Sequence, residues 1–280
     1  MFNKVYVTKD VKVICGENCA KTTDVDLTSC GSDLLSIMYM PQGEGPHPTA
    51  ILLHGFPGYD DPLDIAQALR RCGMNVLRIH YRGSWGVEGT FSFANCMEDV
   101  KAAIDYVTRE DIVKAFNIDK ENIFLIGHSM GGFMTLTCCD DERIKAAVGI
   151  SPYDFGLIGK VSHFDEEEKK EAFEMYETCT KPLNNTNAEI LMKECMDNGD
   201  KWNLPGKAEV LANKKILIIA SDKDAVSKKY LHHDMLSKEI KKYNKGNFTE
   251  VIASTDHSYS NKRVWVAEQV AEYLDKMINN

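Results

Sequence analysis

Apolar residues along the chain gather in short runs separated by longer amphipathic stretches. Residues 50–54 (AILLH), 75–79 (NVLRI), 123–126 (IFLI), 146–150 (AAVGI), 216–220 (ILIIA) and 249–253 (TEVIA) are runs of four or five residues. Most lack a two-residue alternation, as strands covered on both faces do. Between them, residues 64–73 close on a glycine stop. Residues 95–110 place Val100, Ala103, Ile104 and Val107 on one helical face, and residues 261–278 repeat that pattern. Strand, helix and strand in succession predict parallel pairs joined by right-handed crossovers. The expected fold class is therefore α/β, a mostly parallel central sheet flanked by helices. Residues 5–41 read as a few strands at an antiparallel edge. From Gly156 to Lys207 no strand is expected. There, residues 165–179 and 187–198 read as helices, with Glu168, Lys169, Lys170 and Glu171 on a solvated face. A segment of that length exceeds an ordinary connection. Residues 156–207 are expected to form a small helical cap inserted within a single domain over residues 1–280. No internal repeat and no low-complexity segment is visible.

Composition narrows the possibilities. A chain of 280 residues, 44% hydrophobic, suits one large domain or one domain with an insertion. Its net charge of −9 argues against a nucleic-acid partner, and no basic run suggests an anionic membrane surface. Charged residues interrupt the first fourteen positions, so no secretory leader is expected, and no apolar run is long enough to predict a membrane span. Nine cysteines is an odd number, and Cys138 and Cys139 are adjacent in an apolar segment. Reduced thiols in a cytoplasmic protein are expected. Cys15 and Cys19 alone are spaced for a local bridge or a metal half-site, with no second pair at zinc spacing.

The stretch IFLIGHSMGG, residues 123–132, carries the candidate chemistry. Ser129 lies between glycines, after a predicted strand and before a helical segment. That arrangement holds a serine on a strand-to-helix bend too tight for larger neighbours. A serine hydroxyl is a weak nucleophile near neutrality and needs a base, a group that orients the base, and donors for the oxyanion. The Met130 N–H would sit at a helix N-terminus, where unpaired donors and the dipole favour negative charge. A second donor is expected from LLHGFPG, residues 52–58: Gly55 lets the backbone turn toward the serine, and the Phe56 N–H follows it. A buried His54 in a simple turn is the plainer alternative there.

His257, in STDHSYSNKR, leaves the carboxyl end of the last strand, where such sheets place catalytic groups. His47 in a Gly/Pro loop, His163 in the cap, and His232 and His233 on a predicted helix are weaker candidates for the base. The orienting carboxylate should lie between serine and histidine, and ILIIASDKDAVS offers Asp222 and Asp224. Asp224 can reach beyond the turn, whereas Asp222 more naturally makes the turn itself. Asp256 adjoins His257 and is poorly placed to aim at its ring.

The order Ser129, Asp224, His257, with GHSMGG, HGFPG, SDKD and DHSYS, resembles the α/β-hydrolase superfamily from about residue 50 to the C-terminus. Residues 80–107 (HYRGSWGVEGTFSFANCMEDVKAAIDYV) are similar to the prolyl oligopeptidase-like branch, which includes single-domain esterases. The resemblance implies Ser129 as nucleophile, His257 as general base then acid, Asp224 holding the imidazole, and the Phe56 and Met130 amides as oxyanion hole. It implies neither a metal nor an organic cofactor. The large peptidases of that branch carry an N-terminal β-propeller, and the stretch before residue 50 is too short for one. Expected activity is therefore hydrolysis of small carboxylic esters by a monomer or homodimer, with a peptidase or aminoacyl-amide hydrolase as the alternative. A binding protein on the same fold would usually have lost a triad member, and a dehalogenase would need a carboxylate where Ser129 stands. His128, Arg82, Trp85 and Trp202 are candidate substrate contacts. For Arg82 the alternative is an ion pair with Glu98 or Asp99, and for Trp85 packing under the cap. Phe164, Phe173, Met175, Tyr176 and Trp202 wall a pocket or form the cap's own core.

Overall fold

In a computed structural model, which describes residues 2–14, 16–243 and 245–279, the apolar runs become one twisted sheet. Cys15 lies outside the described residues; the eight other cysteines are free thiols. In chain order the elements are β1 (Lys21–Asp24), β2 (Leu27–Ser29), β3 (Ser32–Leu34), β4 (Ser36–Met40), β5 (His47–Leu53), α1 (Leu63–Arg71), β6 (Asn75–Ile79), α2 (Phe93–Thr108), α3 (Glu110–Phe116), β7 (Ile118–His128) and α4 (Met130–Cys138). Then come β8 (Ala146–Ile150), α5 (Phe155–Val161), α6 (Glu166–Cys179), α7 (Ala188–Trp202), α8 (Ala208–Ala212), β9 (Ile216–Ser221), α9 (Asp234–Lys241), β10 (Phe248–Ala253) and α10 (Arg263–Asn279).

The sheet order is β1-β4-β6-β5-β7-β8-β9-β10. β1, β4 and β6 pair antiparallel, and every pair from β6 to β10 is parallel. This is the α/β-hydrolase architecture, with the expected antiparallel edge supplied by β1 and β4; β2 and β3 form a separate hairpin. β5, β8 and β9 are buried at every residue, which is why their sequences do not alternate. The pleat divides them: Ile51, Leu53 and Leu125 face the core under α2 and α4, whereas Ala50, Leu52, Phe124 and Ile126 face the core under α1 and α10.

Three local expectations need correction. The helix read over 95–110 is α2 and ends at Thr108, because Arg109 is extended (φ −67°, ψ 134°) and starts a second helix, α3, which the left-handed Asn117 ends. His47 is not in a loop but is buried at the start of β5, 3.3 Å from the Gly43 carbonyl. Residues 4–7 form a 3-10 turn rather than a strand.

Between β8 and β9 the chain is helical apart from connecting turns. Asp165 and Asn187 each cap a helix, accepting from the N–H groups of Glu167 and Glu168, and of Ile190. α5 lies tightly on α7. A Cβ at Gly159 would stand 1.9 Å from the Cys195 carbonyl oxygen, and one at Gly156 2.2 Å from the Asn203 nitrogen. Three polar ties hold these helices to their surroundings and to one another. Glu194 accepts from the Phe93 and Ala94 N–H groups at the start of α2, both at 2.9 Å. Lys228 pairs with Glu168 and Glu171. Asp154 caps α5 through Leu157 N–H and also accepts from Leu204 N–H at 2.8 Å.

Candidate active site

β7 ends at His128 and α4 begins at Met130, so Ser129 alone makes the bend. It does so at φ 56°, ψ −115°, a strained conformation for a non-glycine residue. The chain closes tightly around it. A Cβ at Gly127 would lie 2.1 Å from Gly131 O, and one at Gly131 2.0 Å from Leu53 O, so side chains at these positions are excluded by backbone. Ser129 N–H donates to Ile150 O at 2.9 Å, and Tyr153 N–H donates to Ser129 O at 3.2 Å. The Met130 amide is the first of α4, at the helix's positive end. The loop after β5 comes directly onto this bend, where a Cβ at Gly55 would be 3.1 Å from Ser129 Cβ.

From the far end of the sheet, β9 and β10 bring a carboxylate and an imidazole together. His257 Nδ1 lies 2.8 Å from Asp224 Oδ2. Asp224 Oδ1 accepts from the Val226 and Ser227 N–H groups at 2.9 and 2.8 Å, so its own turn fixes the carboxylate plane. Burial pushes the Asp224 carboxyl up, but hydrogen bonding and charge attraction from His257 outweigh it, and its pKa lies below the ordinary value. With Nδ1–H donated to Asp224, His257 Nε2 keeps its lone pair for a proton. Asp222 is exposed in the turn, its N–H donating to Ala253 O, and does not meet His257. Asp256 accepts from Ser260 N–H. Ser129 Oγ makes no hydrogen bond to His257 here. Such contacts are commonly long before substrate binds.

The four candidate substrate contacts have other partners. His128 Nε2–H donates to the His257 carbonyl at 2.9 Å, and its ring stacks 4.7 Å from that of His257. Burial and the neighbouring His257 hold its pKa near 4, so it is a neutral strut under the His257 loop. Arg82 is committed to Asp99 at 2.6 Å and Glu98 at 2.7 Å, the ion-pair alternative. Trp202 is buried within the core of the inserted helices. Trp85 is partly exposed, beside Ser84, which bridges Leu183 of the segment between β8 and β9. Its Nε1–H donates to Pro57 O at 2.6 Å and its ring meets Tyr59 edge-on at 5.6 Å, so it braces the loop after β5.

Several neighbours of the site were not foreseen. The Phe56 ring packs among Phe91, Phe93, Phe155 and Tyr176 at centroid distances of 5.7 to 6.4 Å. The spaced aromatics of residues 91–93 (FSF) were the available signal. His232 accepts from Asp154 N–H at 3.0 Å and stacks on Tyr153 at 4.4 Å, and burial depresses its pKa to about 3. Phe164, a candidate wall, is largely exposed.

Comparison with known proteins agrees with this fold. The chain is 26% identical over 159 residues to an uncharacterized 31.7 kDa protein of Escherichia coli from the traX-finO intergenic region, covering 55% of this chain and 54% of that one. It is 27% identical over 127 residues to the esterase EstD of Thermotoga maritima, covering 40% of this chain and 29% of EstD. The chain thus spans about half the length of the E. coli relative it matches. Among solved structures, Est1E from Butyrivibrio proteoclasticus superimposes with a TM-score of 0.68 at 20% identity, covering 93% of this chain and 99% of Est1E. The acylaminoacyl peptidase of Pyrococcus horikoshii gives 0.65 at 16% identity, covering 91% of this chain and 41% of that one. The BD-FAE family profile matches residues 35–181, just over half the chain and the whole of the serine bend, and the chain belongs to the BD-FAE family.

Proposed function

We propose that the protein is a serine hydrolase that cleaves carboxylic esters of small acyl groups through an acyl-enzyme. The observation that carries this reading is the 2.8 Å His257–Asp224 contact brought to the same sheet edge as a serine on a strained bend. Ser129 Oγ attacks the ester carbonyl while His257 Nε2 takes its proton. The Phe56 and Met130 N–H groups receive the developing oxyanion. His257 then protonates the departing alcohol, and the acyl group remains on Ser129. Water, deprotonated by His257, attacks the acyl-enzyme and the carboxylic acid leaves. Asp224 keeps the imidazole in one tautomer and stabilises its cation. Residues 156–207 act as the cap, with Phe155 and Tyr176 set against Phe56 beside the oxyanion loop.

EstD is named an esterase, and Est1E has been solved with ferulic acid bound, which supports acids of aromatic type among the acyl groups. The peptidase reading is favoured by the acylaminoacyl peptidase neighbour. It needs a carboxylate free to bind a substrate amine, and the acidic start of α6 leaves the exposed Glu166 and Glu167 for that. Asp165 is spent on capping, and Glu168 is held by Lys228 and Tyr230 at 2.8 and 2.7 Å. Free thiols among the described residues support a reducing, cytoplasmic setting. Among the described residues no helix is long and apolar enough to cross a membrane. Reaction with a fluorophosphonate tests the nucleophile. Intact mass should rise by one adduct, mapped to Ser129 by peptide digestion; an adduct elsewhere, or none, would refute the assignment.

A further inference from the structure

Behind the loop that follows β5 runs a chain of polar groups that the proposed reaction does not use. Asp61 pairs with the Arg78 guanidinium. Arg78 Nη2 lies 2.5 Å from His80 Nε2, His80 Nδ1 lies 3.2 Å from His54 Nε2, and His54 Nδ1 lies 2.7 Å from the Gly55 carbonyl oxygen. His54 and His80 are 1% and 7% exposed.

One member fixes every proton in this chain. A guanidinium only donates, so His80 Nε2 accepts from Arg78. His80 Nδ1 therefore carries its ring proton and donates to His54 Nε2. His54 in turn carries its proton on Nδ1 and donates to Gly55 C=O. The direction is thus set from Arg78 to the carbonyl, with both imidazoles neutral. Burial favours that state, holding His80 near a pKa of 3, with help from His54 and Arg78, and His54 below its ordinary value.

The end point gives the chain its meaning. Gly55 C=O and Phe56 N–H are the two ends of one planar, conjugated peptide group. A hydrogen bond accepted at the oxygen draws electron density from the nitrogen and makes its N–H a stronger donor. Successive bonds in a buried chain polarise one another in the same sense. Asp61 offsets part of the Arg78 charge but orients the guanidinium so that Nη2 points at His80. We propose that Arg78, His80 and His54 are positioning residues that polarise the Gly55–Phe56 peptide and so strengthen the Phe56 N–H as an oxyanion donor. This inference rests on the serine-hydrolase reading above.

The test compares His80→Leu, which interrupts the chain, with His80→Gln, whose Oε1 can accept from Arg78 while its amide N–H donates to His54. Turnover of p-nitrophenyl acetate would be followed together with inhibition by phenylboronic acid, which forms a tetrahedral adduct on a serine nucleophile. His80→Leu should lower kcat by about two- to tenfold, with KM nearly unchanged, and weaken phenylboronic acid by a similar factor. His80→Gln should recover most of both. Should His80→Leu not fold by circular dichroism, His80→Phe keeps the ring volume without the relay, and the same losses are expected of it. Wild-type kcat in the interrupted variant overturns the inference. So does an equal loss in Leu and Gln variants with phenylboronic acid inhibition unchanged, which marks a packing role. Those results leave Ser129-dependent turnover in the wild type intact; absence of that turnover would instead overturn the hydrolase reading and the relay with it.

Discussion

His257 is gripped from two sides, and each grip limits what its ring can do. Asp224 accepts a hydrogen bond from Nδ1–H, and His128 holds the main-chain carbonyl of the same residue. In the proposed mechanism only Nε2 is left to exchange protons with Ser129. Replacing Asp224 by Asn keeps the shape but can present an N–H donor to Nδ1, which drives the imidazole into the wrong tautomer. Asp224→Asn should therefore lower kcat by about 10⁴-fold with the thermal transition little changed. Steady-state kinetics beside a calorimetric scan checks this, and a kcat within tenfold of wild type would remove Asp224 from the mechanism. The three residues of this set were legible because each follows a strand end in a motif whose chemistry demands its residue type. Asp224 could be separated from Asp222 because a turn residue cannot also reach across the sheet edge. Arg82 and Trp202 could each be read two ways in the sequence, as a substrate contact or as a structural residue. Their partners Asp99 and the α5–α7 core are fixed by tertiary packing, which no local spacing reports.

At the level of elements, the inserted helices depend on two features that composition hides. The first is the contact of α5 with α7. Gly159 looks like an ordinary helix glycine in sequence, yet a methyl group there would collide with the Cys195 carbonyl, which is backbone and cannot rotate away. Gly159→Ala should destabilise the protein by about 1–3 kcal/mol, against the small gain expected of this change in an exposed helix. An unaltered urea midpoint would contradict that contact. α5 itself was not foreseen as a helix. It is seven residues long and buried on nearly every side, so it has no polar face to give a helical period. By contrast, α6 and α7 began where Asp165 and Asn187 could cap them, and those residues were visible in the chain.

The second feature is Asp154, which joins the start of α5 to the segment after α7. Burial pushes its carboxyl up to about 7, against the pull of the Leu157, Leu204 and Gly156 N–H groups. A carboxyl raised in the folded state binds its proton more tightly there than in the unfolded chain. Its stabilising contribution is thus complete below about pH 4 and is lost as pH rises through 7. Compared with Asp154→Asn, which does not titrate, the wild type should lose relative unfolding free energy between pH 4 and 7, by up to about 4 kcal/mol. Any constant offset from the lost Leu204 contact cancels in the slope. A pH-independent difference between the two proteins would show that Asp154 is ionised throughout.

For the molecule as a whole, the sheet explains why residues 55, 129, 224 and 257 gather at one edge. Each follows the carboxyl end of a parallel strand: β5, β7, β9 and β10. In such a sheet those ends open on one edge, where ligands bind. The fold class followed from runs too apolar to alternate, and that inference needed no partner information. The polar chain from Asp61 to Gly55 did need it, since its members lie on three separate segments and become neighbours only when β5 and β6 pair.

The central claim is that this edge hydrolyses esters through Ser129. The most direct measurement is kcat/KM for a series of aryl esters of increasing acyl length and for aminoacyl and prolyl arylamides, with Ser129→Ala alongside. Rapid ester turnover, negligible amide turnover, and loss of both in the variant are expected. Amide turnover equal to or faster than ester turnover, or ester turnover that survives Ser129→Ala, would contradict that claim.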